Sequence, residues 1–267
     1  MQKIVIPIIA LVLFLTSCTK EIDLKLKSTE PQIVIEGNIT NEAGPYTVQI
    51  RKTVDFTKSN TLPAVSGALV TISDNTGVTE TLKETTPGVY QTAVLTGVPG
   101  NTYNLKVSVE GKTFNAISTM PQPVKLDTIK FDLFTSKGDS GGPEYSTLPV
   151  FTDPVNAVNN YRFIQTVNGK LDKTYFTLND NTFNGLLNEQ LLFNPDAEIK
   201  QGDKVLFEFR CTDKSAYDYF FTLSQFMTDG PYSTTPTNPP TNLKGDFAYG
   251  IFSAHTVQRI TAVVPKN

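Results

Sequence analysis

Apolar residues recur at every second position through much of this chain, and a period of two confines those segments to strands. Tyr46/Val48/Ile50, Leu69-Val70/Ile72 and Tyr103/Leu105/Val107/Val109 each place alternate side chains on one face of a pleated ribbon, whereas a helix of period 3.6 would scatter them. Turn formers interrupt the runs roughly every 8 to 12 residues, the spacing of a sandwich. Glu110-Gly111 reads as a two-residue hairpin turn into Lys112 to Thr119. Thr is the commonest residue, 36 of 267, and prefers a pleated surface to a helix interior. With 39% apolar and 10% aromatic residues the chain is too hydrophobic for a disordered one, so a folded, mainly β protein is expected.

Met120-Pro121-Gln122-Pro123 is the best internal boundary, because two prolines within four residues break both a helix and a ladder. It divides the body into residues 31–122 and 123–267. In the first part, Ser66-Gly67-Ala68-Leu69-Val70-Thr71-Ile72, Pro87-Gly88-Val89-Tyr90 and Gly97-Val98-Pro99-Gly100-Asn101-Thr102-Tyr103 resemble the small sandwiches of the carboxypeptidase-regulatory and immunoglobulin-like classes. The second part is read as a β-rich domain with strands at Leu126–Phe134, Asn160–Val167, Lys173–Leu178, Lys204–Cys211, Asp246–Ser253 and Thr256–Val264. One packed helix is expected at Lys214 to Met227. Asp213 caps its N-terminus, and Ala216, Tyr219, Phe220, Leu223, Phe226 and Met227 form one stripe that packs on a sheet. The Pro- and Thr-rich stretch Tyr232 to Asn242 is expected to cross the surface in an extended form.

Charge excludes one class of partner. Lys and Arg number 23 against 26 Asp and Glu, a net charge of −3, and the basic residues are scattered, so nucleic acid is not expected as a ligand. The N-terminus addresses the chain elsewhere. Lys3 followed by the apolar run Ile4 to Leu15 reads as a signal peptide over residues 1–17, since twelve residues at about 1.5 Å each cannot cross a bilayer core of about 30 Å. Leu15-Thr16-Ser17-Cys18 resembles the bacterial lipobox, which makes Cys18 the site of lipidation, and two or three acyl chains there would anchor the protein stably. Residues 18–30 form a polar tether reaching at most about 40 Å. Lys20-Glu21 and Asp23 are similar to the charged signals that send lipoproteins to the cell surface rather than leaving them on the periplasmic face. Cys211 then has no disulfide partner, and it shares its parity with Val205, Phe207 and Phe209, the position of a buried small hydrophobe.

Gly138-Asp139-Ser140-Gly141-Gly142-Pro143 matches the nucleophile segment of chymotrypsin-like proteases, which makes Ser140 a remote serine-hydrolase candidate. A serine needs a base, however, and His255, the only histidine, follows Ser140 by 115 residues where that family places it before. A glycine-rich surface loop is the plainer reading, and no catalytic residue is assigned. His255 itself is expected as a surface or half-buried side chain, since one histidine cannot build a zinc site. Asn179-Asp180-Asn181 and Asp196 with Glu198 match no calcium-loop spacing and read as loop composition. Neither a metal nor a cofactor is expected.

The lipobox, Pro31 to Gly37, Gly44-Pro45-Tyr46, Val65-Ser66-Gly67-Ala68, Asp213 to Tyr219 and Asn238-Pro239-Pro240-Thr241-Asn242, in that order, resemble the domain of unknown function 4249 family, lipoproteins of Bacteroidota. The resemblance implies an outer-membrane lipoprotein, often encoded near TonB-dependent transporters, without an established activity or site. The expected role is therefore a non-enzymatic binding or accessory lipoprotein beside such a transporter, in nutrient capture, with a structural or adhesive surface protein as the alternative. Polar loops at Phe134–Phe151, Asn179–Lys200 and Tyr232–Asn242 would supply the contacts. Tyr145, Phe183 and Tyr232 are the candidate ligand-binding aromatics, each as readily explained by packing.

Overall fold

The computed structural model of the chain describes residues 30–55, 61–134, 144–194, 199–226 and 237–266. Cys18 and the tether to Thr29, the Ser140 hexapeptide, Asp196, Glu198, Met227 and Tyr232 lie outside those residues.

Seventeen strands and one α-helix make up the described chain. The first eight are β1 (Ile33–Thr40), β2 (Thr47–Lys52), β3 (Leu69–Asp74), β4 (Thr79–Thr81), β5 (Lys83–Thr86), β6 (Val89–Gln91), β7 (Thr102–Val109) and β8 (Lys112–Thr119). After the prolines come β9 (Thr128–Phe134), β10 (Glu144–Thr152), β11 (Asn160–Val167), β12 (Lys170–Leu171), β13 (Phe176–Asn179) and β14 (Leu187–Asn188). The last elements are β15 (Lys204–Thr212), α1 (Lys214–Phe226), β16 (Leu243–Gly245) and β17 (Ala248–Val263). They form three sheets: a nine-stranded one ordered β12-β11-β15-β17-β1-β2-β6-β5 with β13 beside β11, a five-stranded one ordered β16-β8-β7-β3-β4, and a three-stranded one ordered β14-β10-β9.

The alternation read from the sequence sets which face of each strand is buried. Ile33, Ile35 and Ile39 of β1, Val48 and Ile50 of β2, and Phe252 and Ala254 of β17 meet Val70, Ile72, Tyr103, Leu105, Val107 and Phe114 of the five-stranded sheet in one core, a β-sandwich arrangement. A second core lies between the three-stranded sheet and the far end of the nine-stranded one. There Phe151 sits 4.8 Å from both Tyr161 and Phe209, and Phe209 5.5 Å from Phe163, centroid to centroid. Each such ring contributes on the order of 2–3 kcal/mol by leaving water. Cys211 joins this core on the same face as Val205, Phe207 and Phe209, and its sulfur accepts the Val124 N–H at 3.3 Å. The β7–β8 hairpin turns at Glu110 and Gly111, both at positive φ as a primed two-residue turn requires.

The segment expected as a long loop over 134–151 contains β10, whose residues 145–151 are all buried. The two strands expected at 246–253 and 256–264 are one strand of sixteen residues, because Ala254-His255-Thr256 contains no turn former and the chain runs straight through. On α1, Asp213 does cap the N-terminus, its Oδ1 accepting the Ala216 N–H at 2.9 Å, but only Ala216 of the expected stripe is fully buried. The four other described stripe residues, Tyr219, Phe220, Leu223 and Phe226, stay half-buried, since the surface beneath the helix is polar.

β17 sits at the centre. Its first half, residues 248–255, pairs in parallel with β1, and its second half, residues 256–263, pairs antiparallel with β15, so strands from both sides of Met120–Pro123 share one sheet. Where the partner changes, side chains replace the missing ladder. Asn41 Oδ1 accepts the Val257 N–H at 2.7 Å, Asn242 donates to the Phe252 carbonyl at 2.7 Å and accepts its N–H at 3.1 Å, and Ser118 Oγ accepts the Ala254 N–H at 2.7 Å. Ser118 in turn donates to Asp213 Oδ2 at 2.6 Å, joining the helix cap to β17.

Candidate functional site

The outer face of the nine-stranded sheet is built from the polar positions of the same alternation. If Phe252 and Ala254 point into the core, Ile251, Ser253 and His255 must point away, and the neighbouring strands add Glu36 and Asn38, Thr47 and Gln49, Arg162, and Arg210 and Thr212. Phe220 of α1 closes one side. Together they line a cavity of about 250 Å³.

His255 was expected near the surface; it is 2% exposed. The strand is not at an edge there, since β1 lies alongside it in register, Thr40 opposite His255. The imidazole Nδ1 is 3.1 Å from the Ser253 hydroxyl, while Nε2 has no hydrogen-bond partner. Burial first, then the positive charges of Arg210 and Arg162, hold its pKa well below the usual imidazole range. At neutral pH His255 is therefore uncharged.

Arg162 and Arg210 face each other across the β11–β15 pair, a cross-strand juxtaposition of like charges that costs stability unless compensated. Arg210 is compensated by Glu208, which also receives Arg259 at 2.7 Å, and Arg259 reaches on to Glu42. Arg162 makes no ion pair among the described residues, and the nearby charge of Glu208 only partly offsets that of Arg210. Its guanidinium carbon lies 3.5 Å from the Phe220 ring centre and 5.7 Å from that of Tyr175, and its Nε is buried without a partner. Burial and the charge of Arg210 push its pKa down to about 9, which still leaves it charged at pH 7. At the opposite rim Arg51 pairs with Glu36 at 3.7 Å. The four arginines of this face thus meet three glutamates, and the uncompensated charge is that of Arg162.

The arrangement offers groups for recognition and does not favour Ser253 as a nucleophile. For Ser253 to act as a nucleophile, His255 would have to become an imidazolium beside two guanidiniums, which burial and charge both oppose, and no carboxylate among the described residues orients it. What the lining offers instead is unused hydrogen-bonding capacity at Arg162 Nε, His255 Nε2 and the Asn38 side chain, while Gln49 already accepts from Arg51 and Thr212 donates to the Asn160 carbonyl at 3.4 Å.

The aromatics singled out in the sequence are elsewhere. Tyr145 lies on β10 and is buried with Ile199, Val205 and Val264; Phe183 is buried against Phe151 and Tyr161, at 6.0 and 6.3 Å. Both are packing residues. Asn179–Asn181 belongs to a single 3-10 turn in which Asp180 is buried and accepts the Asn159 N–H at 2.7 Å. The cavity residues escaped the sequence reading because six elements contribute them, from Glu36 to His255. The available signal was weak: polar residues at the outward positions of strands, the ordinary pattern of a solvated face.

Fold and site together define a β-sandwich-type protein with a polar, ligand-sized cavity on the outer face of its largest sheet. The chain belongs to the family Domain of unknown function (DUF4249), whose sequence model matches residues 19–261. A search of the curated proteins found no match.

Proposed function

We propose that this protein is an outer-membrane lipoprotein anchored through acyl-Cys18, non-enzymatic, with its body facing the cell surface, and that it binds a small ligand in the Arg162–Arg210–His255 cavity beside a TonB-dependent transporter. The observation that carries the binding reading is the buried, unpartnered polarity of that cavity. Unsatisfied buried groups cost about 1–3 kcal/mol each, and a ligand that bonded to Arg162 Nε and His255 Nε2 would recover it. The lipobox supports the anchor, and no helix of the described residues is long and apolar enough to cross a membrane.

Three measurements test this. The full-length lipidated chain, extracted from membranes in mild detergent after crosslinking, should bring a β-barrel protein with it, and protease added to intact cells should remove the body without lysis. A crosslinked pull-down without any barrel protein sinks the transporter partnership, and protection until the outer membrane is opened sinks the surface location. A thermal-shift panel of glycans, peptides, metal ions and small acids should raise the melting temperature for at least one class, and silence across the panel sinks the binding reading.

The adhesive alternative has one observation in its favour. Leu186, Leu187, Leu191 and Phe193 are all exposed within one short segment, a concentration of apolar surface found at protein interfaces. Binding to a protein surface, abolished by Leu187→Asp with Leu191→Asp and accompanied by silence in the small-molecule panel, would select it.

A further inference from the structure

The cavity can be read for the chemistry of its ligand, an inference that rests on its being a ligand site. Charge sets the first limit. One guanidinium, Arg162, lacks a counter-ion, while Arg210 is already matched by Glu208 and Glu36 stands at the far rim with Arg51. A ligand with one negative charge neutralises the face. A dianion leaves a charge unmatched and brings it toward Glu36.

Geometry sets the second. Arg162 and Arg210 are direct neighbours across β11 and β15 and both line the cavity; Arg210 already spends its Nε and one Nη on Glu208, so the guanidinium left to match the two oxygens of a carboxylate is that of Arg162. His255 stands on the next strand but one from Arg162, β17, with Nε2 unpartnered. When the Ser253 hydroxyl donates to Nδ1, Nε2 carries the proton and becomes a neutral donor to an anion. Burial beside the two arginines keeps the ring uncharged, so it adds a hydrogen bond without adding a charge.

The remaining lining sets the third. Glu36, Asn38 and Gln49 at the other end present carboxylate and amide groups suited to hydroxyls, and Phe220 and Ile251 offer apolar contact for a carbon skeleton. A volume of about 250 Å³ equals about eight waters, at roughly 30 Å³ each, which suits a six-carbon acid.

We infer that the cavity binds a small polyhydroxylated monocarboxylate, its carboxylate held by Arg162 and His255 beside Arg210 and its hydroxyls by Glu36, Asn38 and Gln49.

Titration calorimetry on the full-length chain in detergent at pH 7 tests this with glucuronate, galacturonate and gluconate, each against its uncharged counterpart glucose, galactose or sorbitol, and with glucose 6-phosphate as the dianion. At least one acid should bind tenfold or more tightly than both its neutral counterpart and the phosphate. Arg162→Gln, once a cooperative melt shows that it folds, should remove that preference, and the exposed Glu36→Gln should narrow the gap between the acid and the phosphate. A neutral sugar bound as tightly as its acid, or an acid whose affinity ignores both substitutions, overturns the carboxylate assignment while leaving the cavity a ligand site. Binding by none of the probes overturns it as well, and the wider thermal-shift panel then decides separately whether the cavity holds any ligand.

Discussion

A neutral imidazole buried beside two guanidiniums ties the stability of this protein to pH through one residue. In the unfolded chain His255 titrates near its ordinary value of 6.5, and in the folded chain well below it, because burial and the charges of Arg210, Arg162 and Arg259 all oppose protonation. Between those two values the unfolded state binds more protons, so the contribution is fully present above about pH 6.5 and is lost as pH falls through the folded value. The slope is at most about 1.4 kcal/mol per pH unit. Asp213, whose carboxyl burial raises, acts in the opposite sense: its ionisation disfavours the fold as pH rises through the raised value. Urea melts at pH 5.0 and 7.0 should therefore show His255→Gln losing less stability on acidification than the wild type, with Asp213 common to both. Equal losses would show that His255 protonates as freely in the fold as out of it. Sequence places this histidine on an outward strand position, where solvent is the ordinary expectation. Its burial follows from what lies over and beside it, and no neighbour in the chain reports that.

At the scale of elements, β17 is held by its contact with β1, and Gly250 is where that contact is tightest. Its φ of 106° suits glycine, and a Cβ built there would lie 2.0 Å from the Ile35 carbonyl oxygen on the paired strand. The neighbour is backbone, so it cannot swing aside. Gly250→Ala should cost about 3 kcal/mol or more, read as a drop in urea midpoint at unchanged slope, and a loss below 1 kcal/mol would mean that β1 and β17 can separate at no great cost. Elements themselves were largely legible in the chain. β11 runs over the expected residues, β15 extends one residue past its expected end, and α1 starts at the expected residue behind its Asp213 cap. β10 was not legible, because Leu148-Pro149-Val150 carries a proline that reads as a breaker; in the fold Pro149 stands in register with Ile129 of β9.

The whole molecule is organised by a strand from its C-terminal end. The core of residues 31–122 is completed by Leu243, Ala248, Phe252 and Ala254, and β1 has β17 as its second neighbour. Residues 31–122 produced alone should therefore lack a sharp thermal transition, and mixing with a peptide of residues 241–257 should restore one. A cooperative melt of the fragment without the peptide would show that its own strands suffice. The pairing is also what brings the site together: β1 and β2 come from the start of the body, β11 and β15 from its middle, β17 from its end, and α1 lies across them. Sequence by itself determined the period of two, hence which side chains of each strand face a core, together with the hairpin at Glu110-Gly111, the helix and its cap, and membership of the family. Those are local properties, set by backbone geometry and side-chain alternation over a few residues. Which strands became neighbours, that β17 serves two partners, and that Arg162, Arg210 and His255 surround one cavity were decided only in the tertiary structure. Strand pairing joins residues separated by more than two hundred positions, as Ile33 is from Ala248, and an outward polar side chain carries the same signal in sequence whether water or a helix comes to lie above it.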